Sequence, residues 1–247
     1  MREQGSGLVA DSVSRAFGDD QAVQNVTLRV MRGQIHALVG LNGAGKTTLL
    51  RMLLGMLRPD QGRVLINGRN IAEAPSSMWC HVGHLVDSAF RYPELTVTEN
   101  LWAVARLRRL PAADAHVAVN RGIADLRLSH WADRRTRVLS AGNRQRLGLA
   151  GALLGSPDVV ILDEPTGNLD PGGVVLVRRL LTIAATRQTA VLLSSHHLDE
   201  MARIADVITV LHRGRIVGTL DPHGVDLERR FFDMVLADDE AEPGEAV

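Results

Sequence analysis

Apolar residues recur along this chain in two rhythms. Short β-rich runs at 35–39, 159–162 and 191–193 are apolar at nearly every position, which predicts strands buried on both faces. Runs at 8–13, 27–30 and 64–66, the last followed by the turn pair Asn67-Gly68, predict a smaller antiparallel sheet near the N-terminus. Longer segments with helical spacing alternate with the buried runs, so the order of elements predicts an α/β fold, a largely parallel sheet covered by helices. Between about 87 and 155 the strand signals vanish. There 99–110 and 112–126 are rich in Ala, Leu and Arg at helical spacing, with Pro111 separating them. A strand at 207–211, the turn Arg213-Gly214 and a last helix at 226–236 precede an acidic stretch containing Pro and Gly. The predicted layout is a core with its small β-subdomain at 1–86 and 156–236, an α-helical insert at about 87–155, and a flexible acidic tail at 237–247.

Bulk properties narrow the classes of function. A chain of 247 residues fits one α/β unit with an inserted lobe. The 28 basic and 28 acidic residues cancel, so no global field draws in nucleic acid or an anionic membrane surface. No uncharged apolar run approaches the roughly 18 to 20 residues that span a bilayer, and 1–15 lacks the apolar centre of a signal peptide. A cytoplasmic location follows as an expectation, with membrane contact only through a partner. Cys80 is the single cysteine, which rules out an internal disulfide and a cysteine-built zinc site.

The most informative segment is Gly40-Leu41-Asn42-Gly43-Ala44-Gly45-Lys46-Thr47-Thr48, lying between a β-rich apolar run and the helical run 49–57. Strand, glycine-rich turn and helix are the context of a phosphate-binding P-loop. Glycines at 40, 43 and 45 let successive N–H groups face inward, and the helix start adds its positive end. Lys46 then reaches the β and γ phosphates, and the Thr47 hydroxyl is placed to ligate Mg2+. The nucleotide-binding candidates are therefore Gly40, Asn42, Gly43, Ala44, Gly45, Lys46, Thr47 and Thr48.

Further on, the buried run 159–162 ends in Asp163-Glu164. Parallel strands deliver side chains at their C-terminal ends, so Asp163 can join the Mg2+ shell and Glu164 can face an attacking water. Alone, the pair reads equally well as a solvated acidic turn. A P-loop in the same chain tips the balance towards a site.

Together these segments resemble the ATP-binding subunits of ABC transporters. Residues 40–48 resemble the Walker A motif, and 159–164 the Walker B motif with its catalytic glutamate. Leu139-Ser140-Ala141-Gly142-Asn143-Arg144-Gln145-Arg146 is similar to the ABC signature, with Ser140 about 23 residues before Asp163. Asn168-Leu169-Asp170 looks like the D-loop, and Ser194-Ser195-His196 like the strand end carrying the switch histidine. Phe17 stands where the family has an aromatic residue that stacks on adenine. The resemblance runs from about 8 to 220 with every motif in family order. It implies a RecA-like P-loop NTPase core, ATP with Mg2+, and an ABC ATP-binding domain spanning 1–236.

Roles follow residue by residue from that resemblance. Ser140 is physically a good N-cap for the helix it precedes. In the family that helix start, with Gly142, points at the γ phosphate held by a second ATPase subunit, giving a homodimer or heterodimer. By the same resemblance Asp170 of the D-loop is a nucleotide-binding candidate, and His196 contacts the γ phosphate and orients Glu164; His197 has no assigned role. Three positions depart from the pattern. Ala141 replaces a glycine, Asn143 replaces glutamine or methionine, and Asp87 stands at the Q-loop position where most members have glutamine and some exporters glutamate; shorter and acceptor-only, it can still approach Mg2+ or its water. Residues 92–101 resemble the segment lining a groove for an integral membrane permease, which would hold the protein peripherally at the inner face of the membrane. The Ser-Ser-His-His-Leu-Asp-Glu run, the short insert and the carboxylate at 87 are most similar to multidrug, bacitracin or daunorubicin-type exporters. A translation or DNA-maintenance ATPase shares these motifs but brings a second ATPase unit, coiled coils or zinc modules. The histidines at 81 and 84 form part of no recognisable ligand set and read as structural.

Overall fold

A computed structural model of the chain describes residues 5–87 and 91–241. Its strands are β1 (Ser6–Phe17), β2 (Asp20–Met31), β3 (Ile35–Val39), β4 (Gln61–Ile66), β5 (Arg69–Asn70), β6 (Val82–Leu85), β7 (Val159–Asp163), β8 (Ala190–Ser195), β9 (Val207–His212) and β10 (Arg215–Leu220). Its helices are α1 (Lys46–Leu53), α2 (Val97–Leu107), α3 (Ala112–Asp125), α4 (Ala141–Leu153), α5 (Pro171–Thr186), α6 (Leu198–Ala202) and α7 (Leu227–Ala241). Among the described residues the strands form two sheets. One is antiparallel, in the order β2-β1-β4-β5. The other runs β10-β9-β3-β8-β7-β6, parallel from β9 to β6 with β10 antiparallel on its edge.

The parallel sheet is covered on both faces, and the two-residue period of a strand deals its side chains to two cores. Val160 and Leu162 of β7, with Val191 and Leu193 of β8, share one core with Leu101 of α2, Leu149 of α4 and Leu181 of α5. Val159, Ile161 and Leu192 join the other, with Leu49 and Leu53 of α1 and with Leu8, Val13 and Leu28 of the antiparallel sheet. Burial of each such leucine is worth about 2 kcal/mol. The result holds β7 and β8 rigidly side by side, with their C-terminal ends level.

The helices between β6 and β7 are tied to that sheet at defined points. A capping box starts α2: Thr96 Oγ1 accepts from the Glu99 amide at 3.1 Å, and Glu99 Oε2 accepts from the Thr96 amide at 2.7 Å. At the other end, Arg108 donates to the carbonyls of Leu154 and Ala152, which close α4. Burial lowers the pKa of this guanidinium to about 10. Helix α4 lies so close to β6 that a Cβ on Gly83 would stand 1.9 Å from the Ala152 carbonyl oxygen.

Several elements differ from the sequence expectation. Strands β1 and β2 each run 12 residues, through polar positions that pairing along the hairpin carries. Strands β6 and β10 are additional, because their sequences are short and interrupted by glycine. The flexible tail expected from 237 does not start there, since α7 continues to Ala241. Asp238 pairs with Arg215 at 3.1 Å, and Asp239 with His212 at 2.9 Å and Arg213 at 3.0 Å. These acids fasten the last helical turn to the β9–β10 hairpin. Residues 242–247 of that expected tail lie outside the described residues.

Two outcomes follow. Gly83→Ala should cost about 3 kcal/mol by overpacking against backbone and lower Tm by roughly 6–12 °C in calorimetry; an unchanged Tm would contradict the close approach. His36, buried in β3 with Nε2 2.7 Å from Thr209 Oγ1, has its pKa lowered to about 4 by burial. The unfolded chain protonates this imidazole near pH 6.5, so its stabilising contribution is complete above that pH and is lost as pH falls towards 4. The loss should approach about 3 kcal/mol, read as a steeper pH dependence of urea unfolding in wild type than in His36→Gln.

Candidate functional site

The C-terminal ends of β3, β7 and β8 converge on the start of α1. After β3 the chain turns through Gly40, whose Cβ would stand 2.3 Å from the Leu211 carbonyl, and through Gly45, whose Cβ would stand 2.4 Å from that of Ala22. Gly45 caps α1 with φ 98°, a conformation open to glycine, and no side chain caps the helix. The first amides of α1 are thus left for a ligand. Gly43 is left-handed too, at φ 81°, and faces open space. Asn42 is exposed at the loop tip, Ala44 is buried beneath it, and Thr48 is half-buried in the first turn of the helix.

Lys46 folds back over this loop, donating to the carbonyls of Gly40 at 2.7 Å and Leu41 at 3.0 Å. Burial lowers its pKa, and the negative charges of Glu164 and Asp163 oppose that shift. Thr47 Oγ1 donates to Asp163 Oδ2 at 2.8 Å. The other oxygen of Asp163 accepts a short hydrogen bond from Ser194 Oγ, the residue opposite it in the β7–β8 register. The Glu164 amide donates to the Ser194 carbonyl at 3.2 Å, and Glu164 itself adopts φ 46°. Strain of that kind persists where its surroundings enforce it. His196 Nδ1 donates to Glu164 Oε1 at 2.8 Å, which places the imidazole proton on that nitrogen because a carboxylate only accepts. The ring of His197 lies 3.9 Å from that of His196. Gly40, Lys46, Thr47, Asp163, Glu164 and His196 therefore lie in one neighbourhood, linked by hydrogen bonds and by the charges felt at Lys46.

Residues 23–167, from within β2 to the turn after Glu164, match the family model described as ABC transporter. The chain belongs to that family. It is 32% identical to the bacitracin transport ATP-binding protein BcrA of Bacillus licheniformis, over 92% of this chain and 74% of that one. It is 34% identical to the daunorubicin resistance ATP-binding protein DrrA3 of Streptomyces coeruleorubidus, over 94% and 74% of the two chains. A solved ATP-binding subunit of an ABC transporter superposes with TM-score 0.83 at 27% identity, covering 96% of this chain and 99% of that one. The protein is accordingly an ATP-hydrolysing, ATP-binding subunit of an ABC transporter with the α/β P-loop fold. Among the described residues no helix is long and apolar enough to cross a membrane.

The remaining sequence candidates lie outside that hydrogen-bonded set. Ser140 caps α4, accepting from the Asn143 amide at 3.2 Å, and is exposed. Gly142, one residue beyond the altered Ala141, makes the close approach: a Cβ there would stand 2.8 Å from the Asn168 carbonyl. Asp170 caps α5 through the Gly173 amide at 3.1 Å and accepts from Arg146 Nη2 at 2.6 Å, which holds its carboxyl below the usual range. Phe17, half exposed, sits at the tip of the hairpin whose Ala22 carbonyl abuts Gly45, with the Arg15 guanidinium 5.0 Å from its ring centre. Asp87 is paired outside that set. Both of its oxygens are held by Arg51 of α1, at 2.5 and 3.1 Å, so its carboxylate is bound to that guanidinium and not to the Thr47–Asp163 pair.

Three residues carry contacts that the sequence reading did not assign. Ser194 holds Asp163 and Glu164. Gln145 Nε2 on α4 donates to the carbonyls of Glu164 and Pro165, each at 3.1 Å. Arg51 neutralises Asp87. Only their place inside quoted motifs pointed to the first two. For Lys46→Ala, calorimetry should show ATP affinity reduced at least about 100-fold, the scale of a charge-assisted pair of contacts; retained affinity would contradict the cradle.

Proposed function

We propose that this chain binds ATP with Mg2+ at the Walker A loop, closes against a second ATPase subunit, and drives an integral membrane permease that exports a drug, antibiotic or other small molecule. The observation that carries the proposal is the continuous contact from Thr47 through Asp163 and Ser194 to Glu164 and His196. Two hard oxygens, Thr47 Oγ1 and Asp163 Oδ2, already stand 2.8 Å apart, the donor chemistry a small divalent cation prefers. Bound there with the phosphates, Mg2+ would neutralise charge that builds up during transfer of the γ-phosphoryl group.

The chain's own groups divide the remaining work. Lys46 is a desolvated cation with two carbonyl partners, so an entering triphosphate replaces modest contacts with charge-assisted ones. The free amides at the start of α1 orient the phosphates. Glu164, 33% exposed, takes the proton of the attacking water. His196 fixes the direction of that carboxylate and reaches towards the γ phosphate.

The helix start at Ser140 and the cap at Asp170 belong to no contact of this chain's own P-loop, which supports a role towards a partner's nucleotide. The segment at 92–101 supports the permease contact. Buried Asn100 accepts from the Tyr92 amide at 2.7 Å and donates to the carbonyls of Tyr92, Leu95 and Thr96, holding the segment in shape while Tyr92 stays 47% exposed. With a permease as its anchor, the subunit works at the cytoplasmic face of the membrane. Similarity to a bacitracin transport and a daunorubicin resistance ATP-binding protein supports export as the direction.

Glu164→Gln should bind ATP yet lose about 10²- to 10⁴-fold in turnover, or roughly 3–5 kcal/mol of barrier. With ATP it should accumulate as a dimer in size-exclusion chromatography. Normal turnover in that variant would refute the assignment.

A further inference from the structure

Beside the site lies a second, smaller feature that the chemistry above does not use. The turn after Glu164 continues through Pro165 and Thr166 and packs against α5 and α6. Thr166 Oγ1 and Glu200 Oε2 are both shut off from solvent, and neither has a hydrogen-bond partner among the described residues. The two residues line one cavity, with about 10 Å³ in which a water molecule's centre can sit. That is the size of a single water and far below what any organic ligand needs. Its other walls include Val177 and Leu181 of α5, Leu193 of β8 and Met201 of α6, with Arg178 as the remaining polar side chain. Hydrocarbon cannot satisfy a hydroxyl or a carboxylate oxygen, and buried polar atoms in folded proteins are nearly always paired, directly or through ordered water.

We propose that one buried water bridges Thr166 Oγ1 and Glu200 Oε2 and thereby ties the turn carrying Glu164 to helix α6. The water donates one hydrogen to the Glu200 carboxylate and accepts the Thr166 hydroxyl proton. Its position closes a ring. At one end His196 bonds Glu164 at 2.8 Å; two residues beyond Glu164 and four beyond His196, the water joins the same two segments again. From the α6 side alone, a single tie leaves the turn to pivot about the His196–Glu164 bond, whereas two ties fix its angle. Backbone contacts hold the turn from β8 through Ser194 and from α4 through Gln145. The water supplies the missing hold from α6. Thr166 and Glu200 are then positioning residues for Glu164, an inference that rests on Glu164 acting as the base.

The deciding experiment combines a crystal structure of the full chain, at a resolution that orders water, with ATPase kinetics. A water within hydrogen-bond distance of both oxygens is expected in wild type and lost in Thr166→Val. Thr166→Val and Glu200→Leu should each lower kcat about tenfold, the scale of a small misplacement of a reacting group, with KM and ATP affinity unchanged. The double variant should be no slower than the slower single one. Thr166→Ser and Glu200→Gln keep a hydroxyl and an acceptor oxygen and should retain wild-type turnover. A dry cavity, a direct Thr166–Glu200 bond, or losses that multiply in the double variant would overturn the bridge. Should Glu200→Leu fail to fold, the wild-type structure and Thr166→Val still decide. Turnover lost in Glu164→Gln but kept in Thr166→Val would sink this inference alone, while normal turnover in Glu164→Gln would sink the reading of the base.

Discussion

Asp163 is gripped from two sides, by the Thr47 hydroxyl at the start of α1 and by the Ser194 hydroxyl on the neighbouring strand. Everything else in the site is measured from that carboxylate. The grip exists only while β7 and β8 keep a register that sets Asp163 opposite Ser194, and a slip of one residue would turn every side chain of β7 to the other face. Burial on both faces forbids the slip, because Val159 and Ile161 belong to one core and Val160 and Leu162 to the other. The chemistry at the strand ends is thus held in place by hydrophobic packing along their whole length.

That dependence explains what could be read from the chain and what could not. The P-loop was legible because its parts are contiguous: Gly40, Gly43, Gly45, Lys46 and Thr47 follow one strand and open one helix. The Asp163-Glu164 pair was legible as a polar break at the end of an apolar run. The match of Thr47 to Asp163, 116 positions apart, was inferred from family order, and only the folded chain supplies its 2.8 Å. Ser194 stayed silent, since a serine at a strand end has many uses and its register partner is a tertiary fact. Asp87 misled. Its sequence position suggested Mg2+, yet Arg51 captures it across a gap of 36 residues that no local pattern reports.

Secondary structure failed in a similar way at the edges. Polar stretches of β1 and β2 carry a weak strand signal because the alternation is broken at Ser12 and Asn25, both with positive φ, where the pairing shifts. The last five residues of α7 were read as tail because acids near a C-terminus suggest solvent. In the fold they meet the guanidinium groups of Arg215 and Arg213 and the imidazole of His212 on the β9–β10 hairpin. In both places a local rule gave way to a contact made by a distant segment.

The departures at 141 and 143 look different in the folded chain. Glycine is demanded at 142, where the Asn168 carbonyl leaves no room for a Cβ, and that glycine is present. Ala141 is exposed, and Asn143 supplies its backbone amide to the Ser140 cap, which any residue but proline can do. The signature helix therefore keeps its cap and its close approach. It also keeps its grip on the Walker B turn, through Gln145 to the carbonyls of Glu164 and Pro165 and through Arg146 to Asp170. A displacement of α4 must move the backbone that carries Glu164, and the far end of α4 is tied to α2 by Arg108 and packed against β6 at Gly83. Helix α4 thus links the insert, the turn carrying Glu164 and the strand leading to Asp87 through direct contacts.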